Sequence, residues 1–172
     1  RQFTMVAAAP VELTLALVAG AAVSGVVVDD KHQPVAGARV IYSGASDWSV
    51  QADERLDGVV TDGAGKFAFA ALPAGSFRFV ARHESFAPGT SKIYTLDGSN
   101  PTTDVEIAVT AGATVAGVVV DGNRAPIASA RVRIGVATRN MIASEPRQVF
   151  TGEDGTFVVK GLPRKALEAV AL

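Results

Sequence analysis

A long internal repeat constrains this 172-residue chain more than any other feature. Residues 19–42, AGAAVSGVVVDDKHQPVAGARVIY, lie over residues 111–134, AGATVAGVVVDGNRAPIASARVRI, with 14 of 24 positions identical at an offset of 92. A second block, TDGAGKFAFAALP at 61–73, lies over TGEDGTFVVKGLP at 151–163 at an offset of 90, so the loop between the blocks is two residues shorter in the second copy. A third echo, ELTLALVAG at 12–20, lies over DVEIAVTAG at 104–112, again at 92. The period exceeds the roughly 20–50 residues of a solenoid unit and has the size of a small domain. The expected division is therefore three-part: residues 1–19 as the closing strand or strands of a preceding repeat, 20–110 as a complete repeat, and 111–172 as a second repeat without its closing strand. Only Thr110, Ala111 and Gly112 separate the strands expected on either side of the junction, a reach of about 10 Å at most. Neighbouring units should touch and form a stiff rod.

Each copy reads as all-β. Lys66-Phe67-Ala68-Phe69 and Ser76-Phe77-Arg78-Phe79-Val80 place their aromatic residues on one face at a period of two. Asp104-Val105-Glu106-Ile107-Ala108-Val109 does the same with aliphatic residues. Residues 26–28 and 118–120 are unbroken valine runs, as expected of strands buried on both faces. Asp121-Gly122, Asp62-Gly63-Ala64-Gly65 and Asp154-Gly155 mark tight turns, and Leu72-Pro73 and Leu162-Pro163 end strands because proline cannot donate to a ladder. About seven short strands in each 90 residues imply two antiparallel sheets packed face to face. The uncharged run 13–28 falls short of the ~20 residues a spanning helix needs. Its pattern recurs in mid-chain at 107–120, so it reads as strand, glycine turn, strand, and no membrane span is expected. The chain begins at Arg1 rather than Met, which suggests a fragment or a processed product.

Composition removes several functions. Hydrophobic residues at 48% against 19% charged allow a packed core. A net charge of −1 argues against a nucleic-acid partner, which needs a basic face. Without cysteine there is no disulfide frame, zinc–thiolate site or cysteine nucleophile. The two histidines, His32 and His83, have no metal-ligand spacing around them and read as solvent-exposed loop residues. Asp29-Asp30 and Asp53-Glu54 read as turn acids, and the carboxylate of Asp62 has no counterpart at Gly152. No metal, cofactor or catalytic constellation is expected, and the chain reads as no enzyme. The most individual segment is 43–57, SGASDWSVQADERLD, with the lone tryptophan. Trp48, with Tyr42 just before the segment, forms the one candidate ligand contact, since an exposed aromatic ring in a sandwich loop can stack on a sugar. A capping role for Trp48 over its own core is the competing reading. Residues 12–18, a closing-type strand, could also pair with an open sheet edge of another copy.

The order of motifs resembles the carboxypeptidase regulatory-like domain, related to transthyretin-like (prealbumin) and Cna-B-like sandwiches. The residues that carry the resemblance are Gly25-Val26-Val27-Val28-Asp29, then Pro34 to Val40, Thr61-Asp62, Gly65, Phe67 and Leu72-Pro73-Ala74-Gly75. The second copy follows with Gly117 to Asp121, Pro126 to Val132, Gly155, Phe157 and Leu162-Pro163, and departs with Gly152 after Thr151 and Arg164-Lys165 after the Leu-Pro pair. The resemblance implies tandem prealbumin-like, Greek-key antiparallel β-sandwiches, and no active site, because these are turn and core positions. It implies an extracytoplasmic location (cell surface, outer membrane-associated, periplasmic or secreted). Three roles follow: a stiff spacer or scaffold of a larger bacterial protein, with other repeats or protein subunits as partners; a carbohydrate- or protein-binding module using the loops around Trp48; or an accessory domain of a peptidase. The Lys–Asn isopeptide bond of Cna-B relatives needs a lysine on the first strand, and neither 22–28 nor 114–120 has one.

Overall fold

The computed structural model describes residues 20–44, 58–138, 141–142 and 146–172. Every regular element among them is a strand. The first unit contains β1 (Ala21–Val28), β2 (Arg39–Gly44), β3 (Val59–Val60), β4 (Lys66–Leu72), β5 (Gly75–Arg82), β6 (Phe86–Ala87), β7 (Gly89–Thr90), β8 (Tyr94–Leu96) and β9 (Thr102–Ala108). One sheet has the order β4-β1-β9; the other is β3-β2-β5, with β7 and β8 on the far edge of β5. All pairs are antiparallel except β1 with β9, where Val27 stands beside Ile107 and Val28 beside Ala108 in parallel. Parallel neighbours need a long crossover. Here the rest of the unit is that crossover, which a pattern of alternating residues cannot announce.

Alternation decides which side chains meet. Phe67 and Phe69 of β4 and Phe77 and Phe79 of β5 turn inward and are buried, with Val23, Val27, Val105 and Ile107 beneath them. The rings of Phe69 and Phe79 lie 5.8 Å apart and those of Phe67 and Phe79 6.3 Å apart, within the range of favourable aromatic pairs.

The linker strand β10 (Thr110–Ala111) joins the edge of the first unit, and the second unit contains β11 (Ala113–Val118), β12 (Arg131–Thr138), β13 (Met141–Ile142), β14 (Arg147–Phe150), β15 (Thr156–Leu162) and β16 (Leu167–Ala171). It repeats the first unit's register. Gly117 faces Phe157 as Gly25 faces Phe67, and Ile134 faces Ala169 as Tyr42 faces Phe79. The loops repeat as well. The Asp29 carboxylate accepts from the backbone N–H of Lys31 and of Gln33, both at 2.8 Å, and Asp121 does the same for Asn123 and Ala125. His32 and Arg124 occupy the same left-handed position, with φ of 55° and 66°. The Thr61 hydroxyl donates to the Val35 carbonyl (2.7 Å) and accepts from the Ala38 N–H (2.9 Å); Thr151 does so with Ile127 and Ala130 at the same distances.

The copies differ at one edge. Among the described residues β11 pairs with β15 alone, with no strand where β9 stands beside β1. The valine run expected to be buried on both faces is so only in part. Val27 and Val28 are buried, but Val118 is 54% exposed and Val120 43%, and Ile127 is exposed where Val35 is buried. A two-stranded ribbon lacks the flanking strand that would cover those side chains. Of the uncharged run 13–28, residues from Ala21 onward form β1, and no helix among the described residues is long and apolar enough to cross a membrane. Residues 12–18 lie outside the described residues.

Candidate functional site

Tyr42 lies in β2, immediately before the segment 43–57 in the sequence. Its ring stands edge-on to Phe69 at 5.4 Å and to Phe77 at 5.7 Å and is half-buried against the core. Trp48 lies outside the described residues. His32 is exposed in its turn. His83 departs from expectation: it is half-buried, its ring lies 5.3 Å from Phe86, and its Nδ1 accepts from the Ser85 N–H at 3.1 Å. The second unit reaches the same residue through Arg147, whose Nη2 donates to the His83 backbone carbonyl.

The turn acids hold backbone. Asp97 accepts from the N–H of Asn100 and of Ser99, both at 2.8 Å, and these bonds hold its carboxyl far below the usual carboxylate range. The Gln33 and Lys31 N–H groups lower Asp29 in the same way, and the hydroxyl and N–H of Thr156 lower Asp154. Asp62 accepts from Ala64 and Lys66. Among the described residues no three His, Cys, Asp or Glu side chains gather as a metal site.

Side chains of distant origin converge instead at the junction between the units. β10 pairs with β6, Thr110 beside Ala87 and Ala111 beside Phe86, and the Gly112 N–H donates to the Ser85 carbonyl at 3.0 Å. The linker is thus a strand of the first unit's edge. Arg147, at the start of β14, sends Nη2 to the His83 carbonyl at 2.7 Å, with the Phe86 and Gly161 carbonyls at 3.4 and 3.5 Å. Gly161 has φ of 69°, and a Cβ there would stand 2.5 Å from the Glu84 carbonyl oxygen and 2.8 Å from that of Phe86. Only glycine fits this approach. Burial first, and the charge of Arg82 second, lower the Arg147 pKa. Sequence reasoning missed both residues. The available signal was asymmetry within the repeat: Arg147 stands where the first copy has Asp57, and Gly161 where it has Ala71.

The carboxypeptidase regulatory-like domain model matches residues 22–110. The chain belongs to that family. This matched segment is the first unit, from β1 through β10. No curated protein shows a significant sequence match to the chain. Solved structures similar to this carboxypeptidase regulatory-like chain include a streptococcal ancillary pilin at 19% identity and a TM-score of 0.43, covering 88% of this chain and 53% of the pilin. The shaft pilin spaA from Lactobacillus rhamnosus GG is 11% identical with a TM-score of 0.37, over 89% of this chain and 87% of that one. A candidate carbohydrate binding protein from Pseudomonas aeruginosa is 17% identical with a TM-score of 0.38, over 54% and 89%. The chain spans about half the length of the streptococcal pilin. At these identities and scores the likeness says nothing about what the chain binds.

Proposed function

We propose that this chain is a non-enzymatic structural module, a stiff tandem spacer or scaffold of a larger exported or surface bacterial protein, with neighbouring repeats or other protein subunits as its partners. The observation that carries this reading is the junction. A linker paired as a strand with β6, a guanidinium spent on backbone carbonyls across the boundary, and a glycine contact with no room for a side chain all oppose bending between the units. A flexible linker would instead be unpaired and rich in polar residues. Residual dipolar couplings test it. Couplings from both units should fit one alignment tensor with a common magnitude; independent tumbling of the wild-type units would sink the reading.

In a second reading the loop after β2 binds a glycan. Its support is that Tyr42, a ring packed against the core in β2, stands six residues before Trp48 in the sequence. A glycan array with wild type and Trp48→Ala tests it: loss of a wild-type signal in the variant is the expected result, and an unchanged or absent signal removes the idea.

A further inference from the structure

We propose that residues 12–18 of one copy of the chain dock as a strand along the open edge of β11 in another copy, so that copies assemble end to end. In the first unit β9 lies parallel to β1, and Val105, Ile107 and Val109, in β9 and just after it, are fully buried. Among the described residues β11 pairs with β15 alone, and nothing takes that place. The gap runs through the second core. Val119 and Phe157 are half-buried where Val27 and Phe67 are buried, and Val115 is half-buried where Val23 is fully covered. The backbone is open on the same side. A Cβ on Gly25 would collide with the Val105 carbonyl of β9, whereas at Gly117, its equivalent, the three nearest atoms all belong to the Phe157 ring. Such an edge, with its free N–H and C=O groups above an uncovered apolar layer, is a template for one more strand.

The occupant is written in this chain. Residues 12–18, ELTLALV, align with 104–110, DVEIAVT, the strand that closes the first unit. In the register that β9 keeps on β1, Leu13 falls beside Gly117, Leu15 beside Val119 and Ala16 beside Val120. Leu13, Leu15 and Leu17 then take the places of Val105, Ile107 and Val109 and cover the half-buried side chains. The same chain cannot supply this strand. Ala19 and Gly20 alone separate residue 18 from β1, a reach of about 10 Å at most. The start of β1 lies at the end of the first unit away from the linker, because its last residue, Val28, pairs with Ala108; its eight residues span about 25 Å. A second copy meets no such limit. Val18 to Ala21 corresponds to Thr110 to Ala113, so the contact between copies repeats the junction within one. Donor and acceptor are different surfaces, which makes the contact heterologous and builds an open row of copies rather than a closed pair. Under the scaffold reading, on which this rests, the partner is thus a second copy of the chain.

Sedimentation velocity of the 172-residue chain over a range of concentrations is the test. Species larger than a dimer should grow as concentration rises. Leu15→Asp sets a charge where the acceptor core takes an apolar side chain and should weaken assembly roughly a hundredfold or more, while Leu15→Ile should assemble like wild type. The amide spectrum of β1 to β9 should be the same in both variants, which shows that the fold is intact. A second measurement locates the contact. Isotope-labelled Leu15→Asp chain, whose β11 edge is unaltered, is mixed with unlabelled wild type, and amide exchange in the labelled chain should slow along residues 115–120. A wild type that stays monomeric overturns the proposal. So does assembly that persists in Leu15→Asp, which assigns it to β11 against β11 or to another surface, and so do β11 amides left unprotected in the mixture. None of these outcomes touches the scaffold reading, which fails only where the two units of one chain tumble independently.

Discussion

Thr61 and Thr151 show how much a single side chain holds in this fold. Each hydroxyl accepts from a buried backbone N–H and donates to a carbonyl, both more than twenty residues away in sequence, and for Thr61 both bonds are buried. Thr61→Val keeps the shape and removes both bonds. Urea denaturation should show the loss of about 1–3 kcal/mol for each group left unsatisfied, while Thr61→Ser should stay within about 1 kcal/mol of wild type. Asp97 sets an acid limit of another kind. Its folded pKa lies below the unfolded value of 3.8, so its stabilisation is fully present above that value and disappears as pH falls through the lower folded one. Asp29 and Asp154 act in the same direction. Denaturation midpoints should be flat from neutral pH to about 5 and then fall, and Asp97→Asn should make the acid limb shallower. A midpoint that rises on acidification contradicts this assignment.

Strands of equal register carry unequal cores. Where β5 places Phe79, fully buried, β16 places Ala169, exposed; where β4 places Phe69, β15 places Val159. β1 is flanked on both sides and β11 on one among the described residues. Both differences thin the second unit. Amide exchange should therefore be slower in β1 than in the matching positions of β11, by roughly the tenfold that each 1.4 kcal/mol provides. Phe79→Ala should cost about 3–5 kcal/mol and unfold the first unit ahead of the second. Gly25 adds a test of the parallel pair. A Cβ there collides with the Val105 carbonyl oxygen, so Gly25→Ala should push β9 away and speed exchange along it. Unchanged protection in β9 would mean that this contact does not hold the strand.

Over the whole molecule the contacts that matter join residues far apart in sequence. Arg147 reaches the His83 carbonyl 64 positions earlier. Replacing Gly161 by Val should prise β15 from the Glu84–Phe86 backbone, and Arg147→Ala should remove the tie beside it. In the double variant the two units should then need separate alignment tensors, with each unit's own spectrum largely preserved. Strand content, turn positions and the aromatic layer were readable before any coordinates, because alternation at period two and Asp–Gly turns act over a few residues. The likeness of the two copies was readable for the same reason: identical short-range instructions produce the same turns, down to the left-handed φ shared by His32 and Arg124. The parallel pairing of β1 with β9, the exposure of Val118 and Val120 and the cleft between the units lined by Arg39, Arg82 and Arg147 were not. They depend on which backbone lies alongside which after the chain has closed on itself. Pairing across 80 residues, and packing of one unit on another, is settled by tertiary contact and leaves no local periodicity to read.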